Sequence, residues 1–327
     1  MTIVPALRRL VVVALLLVPV VALAQSPAKR TIGFVGSAGP VRDRPLLEHF
    51  RRGLADLGYR EGVNVVIEDR YADGHFDRLP ALVTDLLSRK VDVLVVAGAP
   101  AARAAKNATT TVPIVMTNAA DPVGTGLVAS LARPGGNITG LSDFNEGVIA
   151  KRLALLKEVV PGASRVGVIY NPANPTNPIQ LRLTHEAARS LGVTLVPLEA
   201  ESDAALERAL ATVRRERPGA LLVIGDPTLG TLRGKIAQFG AGARIPTVFS
   251  TKERLEEGGL MSYGTSFEEL YRRAASYVDK VFRGAKPADL PIEQPSTFEL
   301  VINLKAARAL GVTVPPAVLF QADRVIE

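Results

Sequence analysis

Short apolar runs rich in β-branched residues alternate, from Thr31 to Phe249, with segments in which apolar residues recur at helical spacing. Runs of this length without polar alternation are typical of strands buried on both faces, as in parallel sheets covered by helices. The predicted strands are Thr31–Val35, Val63–Ile67, Val91–Val96, Ile114–Met116, Val166–Tyr170, Thr194–Pro197, Leu221–Ile224 and Thr247–Phe249. The alternation predicts an α/β fold with doubly wound parallel sheets.

Proline, glycine and aspartate mark where the predicted helices begin and end. Pro45 is expected to begin a helix that Gly58 closes, because proline suits the first turn and glycine suits the C-terminal end. Asp203 is expected to cap a later helix. Phe267–Phe282 has the spacing of an amphipathic helix.

The two halves of the chain repeat one pattern. Val93–Pro100 and Leu221–Pro227 each contain a strand, a small residue, and a proline at the start of a helix. Each helix is followed by a second strand that a proline introduces, in Val112–Val115 and in Ile245–Val248. The repeat predicts two similar lobes.

The turn-rich stretch Arg133–Gly140 is too polar for the interior of an element, so we interpret it as the first crossing between the lobes. Further hinges are expected near Ser262–Gly264 and Pro287–Pro295. The predicted division assigns residues 25–141 and 264–291 to lobe 1, and residues 142–263 and 292–327 to lobe 2. Three crossings make both lobes discontinuous in sequence.

The N-terminal residues 1–24 have the pattern of a secretory signal peptide. Arg8 and Arg9 precede an apolar run that ends in small residues at Ala22 and Ala24, so cleavage is expected before Gln25. The alternative is an uncleaved anchor, but the run is short for a membrane span and Pro19 interrupts it. We therefore expect an exported protein without a stable membrane anchor.

Composition refines the expected location. The chain has no cysteine, so neither a disulfide nor a thiol for lipid attachment is available, and a soluble periplasmic protein is expected. Removal of residues 1–24 takes away two arginines, which lowers the formal charge from +7 to +5. No basic tract with interleaved aromatic residues suggests a nucleic-acid partner.

The sequence contains few groups for catalysis. His49, His75 and His185 lack the spacing of metal ligands. Gly33–Gly39 matches neither a nucleophile elbow nor a dinucleotide-binding loop, and Gly230–Lys235 is one residue short of a phosphate-binding loop. We expect no enzyme activity, no metal and no cofactor.

Ligands of open α/β sheets bind beyond the carboxyl ends of the strands. In lobe 1 the candidate ligand-binding residues are Ser37, Gly98, Ala99, Pro100, Ala101, Asn118 and Asp121. In lobe 2 the candidates are Tyr170, Asn171, Asp226, Phe249 and Tyr263, the last of these at a predicted hinge.

The repeated pattern places Ala99 in one lobe opposite Asp226 in the other. Small side chains around Ala99 are expected to leave the backbone N–H groups of Ala101 and Ala102 free to bind a carboxylate. Asp226 is the corresponding group for an ammonium, so the pair suits an amino acid. The alternative is that Asp226 and Asp121, each followed by proline, only cap helices.

Five segments of the chain resemble the ABC-transporter substrate-binding family that includes tryptophan- and phenylalanine-binding members. They are Gly53–Gly62, Asp121–Asn137, Gly258–Gly264, Arg272–Ala275 and Phe298–Asn303. The resemblance covers nearly all of the chain after residue 24. It implies a type I periplasmic-binding-protein fold, two lobes joined by a hinge, with ligand capture in the cleft between them.

The resemblance also implies delivery of the ligand to an ABC permease and its ATPase, and we expect a monomer. One departure concerns Gly98-Ala99-Pro100, where the family often has Gly-Thr-Pro, so a hydroxyl for the ligand is missing. An amino acid with an aromatic or branched side chain is the leading ligand, with another small carboxylate or an apolar solute as alternatives. Two other functions stay open: a periplasmic sensor partner for a membrane receptor, and an enzyme on the same scaffold.

Overall fold

The structure is a computed structural model that describes residues 29–327. The predicted signal peptide, residues 1–24, lies outside the described residues. In the first part of the described chain, strands and helices alternate. They are β1 (Arg30–Gly36), α1 (Pro40–Asp56), β2 (Val65–Tyr71), α2 (Leu79–Ser88), β3 (Val93–Ala97), α3 (Ala99–Ala108), β4 (Ile114–Asn118) and β5 (Ile138–Gly140).

The rest of the chain continues the alternation and ends in a strand at the edge of a second sheet. Its elements are α4 (Glu146–Val159), β6 (Arg165–Tyr170), α5 (Asn177–Ser190), β7 (Thr194–Glu199), α6 (Asp203–Glu216), β8 (Ala220–Val223), α7 (Pro227–Thr231), α8 (Arg233–Ala243), β9 (Thr247–Phe249), β10 (Met261–Thr265), α9 (Phe267–Phe282), β11 (Phe298–Asn303), α10 (Leu304–Leu310), α11 (Pro316–Phe320) and β12 (Arg324–Ile326). None of the helices in this described part is long and apolar enough to cross a bilayer.

The strands form two sheets, one in each lobe. The first has the order β2-β1-β3-β4-β5 and is parallel throughout. The second has the order β12-β11-β10-β9-β8-β6-β7, and its pairs are parallel except for β10 with β11. This architecture confirms the predicted α/β class with two parallel-sheet lobes.

All eight predicted strands are present, with small differences in their bounds. β2 begins at Val65 rather than Val63, because Val63 lies in a turn in which its N–H donates to the Arg60 carbonyl at 3.0 Å. β5, β10, β11 and β12 were not predicted, and β10 contains an interior glycine, which weakens the strand pattern.

Two helix starts differ from the sequence predictions. α1 begins at Pro40, and Pro45 lies inside it. The missing N–H of Pro45 leaves the carbonyl of Val41 without its helical donor, and Val41 is exposed, so water can replace that donor. In α6 the cap is Ser202, whose Oγ accepts a hydrogen bond from the Ala205 N–H at 3.2 Å, and Asp203 is the first helical residue.

α9 returns the chain from the second sheet to the first lobe. Its apolar face, with Tyr271 and Val278, packs with Leu47 and Phe50 of α1 in one core cluster. The contact is close at Gly53, where a Cβ atom would lie 2.5 Å from the carbonyl oxygen of Arg272. The first sheet and α1 therefore share a core with a helix that comes much later in sequence.

Three crossings between the lobes are predicted, and two of the predicted boundaries fall within structured parts of the chain. β10 continues to Thr265, so the predicted boundary after Tyr263 falls inside that strand. Ile292 packs in a core cluster of the first lobe, and its N–H donates to the Leu131 carbonyl at 2.8 Å. The division into two discontinuous lobes remains a prediction.

Gly140, the last residue of β5, lies at the first crossing with a φ of +122°. A Cβ atom there would lie 2.3 Å from the Met116 carbonyl oxygen, which is a steric clash. A residue other than glycine would also be strained at this positive φ. We expect Gly140→Ala to lower the free energy of unfolding by at least about 2 kcal/mol. Urea unfolding measures this change.

Gly242 provides the matched control because it lies on the exposed side of α8, where an added Cβ atom would point into open space. Gly242→Ala is expected to raise the free energy of unfolding by about 0.5–1 kcal/mol, since alanine favours helices. If both variants unfold at the same urea concentration, the argument from Gly140 fails.

Asp43, in the first turn of α1, is a buried acid. A Cβ atom at Gly36 of β1 would be 2.2 Å from Asp43 Oδ2, so glycine at that position leaves room for the carboxylate. Within residues 29–327, Oδ2 has no hydrogen-bond partner. Burial raises the pKa of Asp43 to about 6, although the charge of Arg42 opposes the change.

Because the pKa of Asp43 in the folded protein lies above its ordinary value of 3.8, the unfolded chain loses this proton first as pH rises. The free energy of unfolding therefore falls between about pH 4 and pH 6. Asp43→Asn has no carboxyl group to titrate at this position. Between pH 4.5 and pH 7.5, its free energy of unfolding should therefore rise by about 2 kcal/mol relative to that of the natural chain. Urea unfolding at both pH values tests this, and an equal effect at both would contradict it.

Candidate functional site

A cavity of about 90 Å³ lies between the two lobes, at the carboxyl ends of strands from both sheets. Its walls include Arg42, Gly98, Ala99, Asn118 and Phe267 from lobe 1, and Arg152, Asn174, Asp226, Arg233, Phe249 and Thr251 from lobe 2. Asp143 and Phe144, which follow the first crossing, complete the walls.

Asp226 is a hydrogen-bonded carboxylate of the lobe 2 wall, and its side chain is buried, since the residue is only 8 % exposed. Its Oδ1 accepts hydrogen bonds from the Leu229 N–H at 2.9 Å and from Asn171 Nδ2 at 3.2 Å. Its Oδ2 accepts one from Asn174 Nδ2 at 2.8 Å. Burial raises the pKa of Asp226, and these hydrogen bonds oppose the change. The residue therefore caps α7, as one sequence alternative held, and also borders the cavity.

Asn171 lies behind this wall and connects it to the other lobe. It is fully buried, and its Nδ2 donates both to Asp226 and to Thr228 Oγ1, the latter at 3.3 Å. Thr228 Oγ1 in turn donates to the Gly74 carbonyl of lobe 1 at 2.7 Å. Asn171 thus orients Asp226 rather than lining the cavity itself.

The lobe 1 wall differs from the sequence prediction. Ser37 is buried, with its Oγ donating to the Ala97 carbonyl at 2.8 Å and accepting from the Ala101 N–H at 3.1 Å. The Ala102 N–H donates to the Gly98 carbonyl at 3.1 Å. The two backbone N–H groups expected to be free for a carboxylate are therefore already bonded, and the proposed carboxylate site at Ala101 and Ala102 was wrong.

Several candidate residues lie away from the cavity walls. Asp121 Oδ1 accepts from the Gly124 N–H at 2.8 Å, so this residue caps a turn and not a helix. Tyr170 donates from its hydroxyl to Glu199 at 2.9 Å, and the Tyr263 ring packs 6.2 Å from that of another aromatic residue in β11. Pro100 is buried inside α3. Of the twelve candidates, the five that line the cavity are Gly98, Ala99, Asn118, Asp226 and Phe249.

Sequence reasoning missed three arginines of the cavity wall. Arg233, in α8, is 6 % exposed and stacks on the Phe249 ring at 4.2 Å. Its Nη1 donates to Thr251 Oγ1 at 2.7 Å, and its Nη2 donates to the carbonyl of the same residue. Glu253 Oε2 lies 3.5 Å from Nη1. Burial lowers the pKa of Arg233 to about 10, and the charge of Glu253 opposes the change.

Arg152 and Arg42 are the other two missed arginines. Arg152, in α4, is 5 % exposed, and its Nε donates to the Tyr263 carbonyl at 2.8 Å. Burial lowers its pKa to about 10, which the charge of Asp143 opposes. Arg42, in the first turn of α1, lies over the Phe267 ring at 5.2 Å.

Asp143 places a carboxylate in the same part of the cavity. Its Oδ1 is buried without a hydrogen-bond partner among residues 29–327. Burial raises the pKa of Asp143 to about 6, and the charges of Arg42 and Arg152 oppose the change. The cavity therefore holds buried groups of both charges, an arrangement that suits a small polar or zwitterionic solute.

One signal for Arg152 was present in the sequence. It falls on the apolar stripe of α4 formed by Val148, Leu155 and Val159, where a charged residue has to be buried or face a site. Arg42 and Arg233 carry no such signal, because arginine near the start of a helix is most often solvated.

The comparisons with known proteins agree with this architecture. A family described as ABC transporter substrate binding protein matches residues 42–326. A tyrosine-binding protein of Clostridioides difficile is 29% identical over 275 residues, which cover 82% of this chain and 78% of the relative.

Two solved structures have closely similar folds. An ABC domain in complex with L-Trp from Streptococcus pneumonia has a TM-score of 0.86 and 28% identity, and the match covers 91% of this chain and 100% of that one. A conserved domain protein from Vibrio cholerae has a TM-score of 0.85 and 29% identity, over 91% of this chain and 99% of that one. With two parallel-sheet lobes around a charged cavity and a family match over most of its length, the chain belongs to the ABC transporter substrate binding protein family.

Proposed function

We propose that this protein is exported to the periplasm, captures an amino acid between its two lobes and delivers it to an ABC permease with its ATPase. The observation that carries the proposal is the cavity between the lobes, which is lined by buried groups of both charges. No chemical change of the ligand is part of this function. The pattern of residues 1–24 supports export.

The choice of an amino acid is supported by the site and by the relatives. Asp226 Oδ2 accepts one protein hydrogen bond, from Asn174, which leaves room on that oxygen for a ligand ammonium. Phe249 and Phe267 supply apolar surface for a side chain. One relative is named for tyrosine and a similar structure holds L-Trp, so an aromatic amino acid is the first ligand to test.

The proposed mechanism is hinge closure, in which the ligand contacts both walls and stabilises the closed arrangement. The direct hydrogen bond from Thr228 to Gly74 holds α7 of lobe 2 against lobe 1. Arg42 of lobe 1 also reaches Gly230 of α7, where a Cβ atom would lie 3.3 Å from the arginine Cδ. These contacts are expected to form when the lobes close and to separate when they open.

A thermal-shift screen of the twenty amino acids tests the ligand class, because a ligand that binds the folded protein raises its melting temperature. At least one amino acid should be a strong stabiliser. Asp226→Asn should weaken its binding by at least tenfold, since the variant loses the charge that pairs with the ammonium. Titration calorimetry measures the affinity.

The control for this variant is Asp121→Asn, which makes the same chemical change at an aspartate outside the cavity walls. It should leave the affinity unchanged. If Asp226→Asn binds as tightly as the natural chain, Asp226 acts only as a helix cap. If none of the twenty amino acids stabilises the protein, the amino-acid proposal is refuted.

Thr228→Val tests the closure mechanism, because it removes the hydroxyl that bonds to the Gly74 carbonyl and keeps the side-chain shape. The loss of about 0.5–1.5 kcal/mol of closed-state stability should weaken ligand binding by roughly twofold to tenfold. In the presence of ligand, Thr228→Val should have a larger radius of gyration than the natural chain, as measured by small-angle X-ray scattering.

Thr231→Val is the matched control, since Thr231 Oγ1 bonds only within α7, to the Thr228 carbonyl at 2.7 Å. It should change neither the affinity nor the scattering. Identical behaviour of the two variants would contradict a role of the Thr228 hydroxyl in closure.

A further inference from the structure

Arg42 and Arg152 bring two cationic groups to the same cavity from opposite lobes. Neither guanidinium forms an ion pair within 4.0 Å with a carboxylate of residues 29–327. Unpaired charge in a confined site carries a desolvation cost that a partner of opposite charge offsets. The cavity thus contains two arginines without a direct ion pair among residues 29–327, although nearby carboxylates oppose the effect of burial on their pKa values.

Arg233 differs from these two, although it lines the same cavity. Both of its Nη atoms donate to Thr251, and Glu253 lies 3.5 Å from one of them. Protein groups therefore already bind the terminal nitrogens and counter the charge of Arg233. The terminal nitrogens of Arg152 are not used in this way. Its hydrogen bond to the Tyr263 carbonyl comes from Nε, which leaves the N–H groups of both Nη atoms for another acceptor.

Asp143 is the internal carboxylate whose charge acts on both Arg42 and Arg152, and Asp43 and Glu253 also act on Arg42. Asp143 forms no ion pair with either arginine within 4.0 Å, and its Oδ1 is left without a hydrogen bond. Asp143 therefore balances part of the positive charge without occupying the donors of the arginines. A ligand with both an anionic and a cationic group suits this combination.

We propose that Arg42 and Arg152 bind the carboxylate of the ligand from the two lobes, so that this protein selects solutes with a free carboxylate. This arginine pair replaces the N-terminus of α3 as the proposed binding site for the carboxylate. The proposal rests on the proposed capture function and specifies the ligand group that the site recognises.

The positions of the two arginines also connect ligand charge to closure. Arg42 belongs to lobe 1 and Arg152 to lobe 2, so closing the cleft brings two like charges into one cavity. A carboxylate that lies between the two guanidinium groups is attracted to both lobes and thereby favours the closed state.

The test compares acids with their uncharged amides. The probes are each amino acid that stabilises the natural chain, together with benzoate and hexanoate, and each probe is paired with its carboxamide. We expect every stabilising acid to bind at least tenfold more tightly than its amide, as measured by titration calorimetry. Arg152→Met and Arg42→Met should each reduce this preference to less than threefold, and Arg152→Lys should retain part of it because it keeps a cation.

Arg182→Met is the matched control because Arg182 lies on the exposed surface of α5, paired with Glu186. It should keep the full preference for acids. Circular dichroism at each temperature used checks folding, and if Arg152→Met does not fold, Arg42→Met alone decides the question.

The outcomes separate this proposal from the proposed function. If simple carboxylates bind through the arginines and no amino acid does, the amino-acid function fails and the carboxylate site stands. If an amino acid binds as tightly as its amide, or if both methionine variants keep the preference, the carboxylate site is overturned and the binding function stands. If no acid of the panel binds the natural chain, the proposal is overturned.

Discussion

The buried carboxylate of Asp226 is the group on which the geometry of the cleft depends. It accepts hydrogen bonds from the N–H of Leu229 and from two asparagine side chains, so one residue fixes both the start of α7 and the loop after β6. Asn171 then extends this order to Thr228, which bonds to the opposite lobe. The lobe 2 wall of the cavity and the hydrogen bond to Gly74 of lobe 1 are thus built on the same carboxylate.

The charged groups of the cavity fall into two sets with different roles. Asp226 accepts three hydrogen bonds from the protein, and both Nη atoms of Arg233 donate to Thr251, although its Nε has no partner among residues 29–327. Arg42, Arg152 and Asp143 have donor or acceptor atoms left over. In the proposed function, the hydrogen-bonded groups define the shape of the site and the incompletely paired groups attract the solute.

The sequence was sufficient for features that depend on periodicity and was insufficient for those that depend on tertiary partners. Buried parallel strands and the amphipathic α9 have strong patterns, and the repeat of β3 and β8 located both walls at Ala99 and Asp226. The hydrogen bond from the Ala101 N–H to Ser37 joins residues 64 positions apart, so no local pattern reveals it. The burial of Arg42 and Arg233 likewise depends on the opposite lobe and on neighbouring helices.

The return of α9 to the first lobe has a consequence for folding. The core cluster that contains Phe34 and Phe50 also contains Tyr271 and Val278, so lobe 1 cannot complete its core until more than two hundred later residues are available. The second sheet likewise needs β11, which joins β10 and β12. Neither sheet therefore has its full set of packing partners until α9 and β11 have been synthesised, so both cores stay incomplete until late in translation.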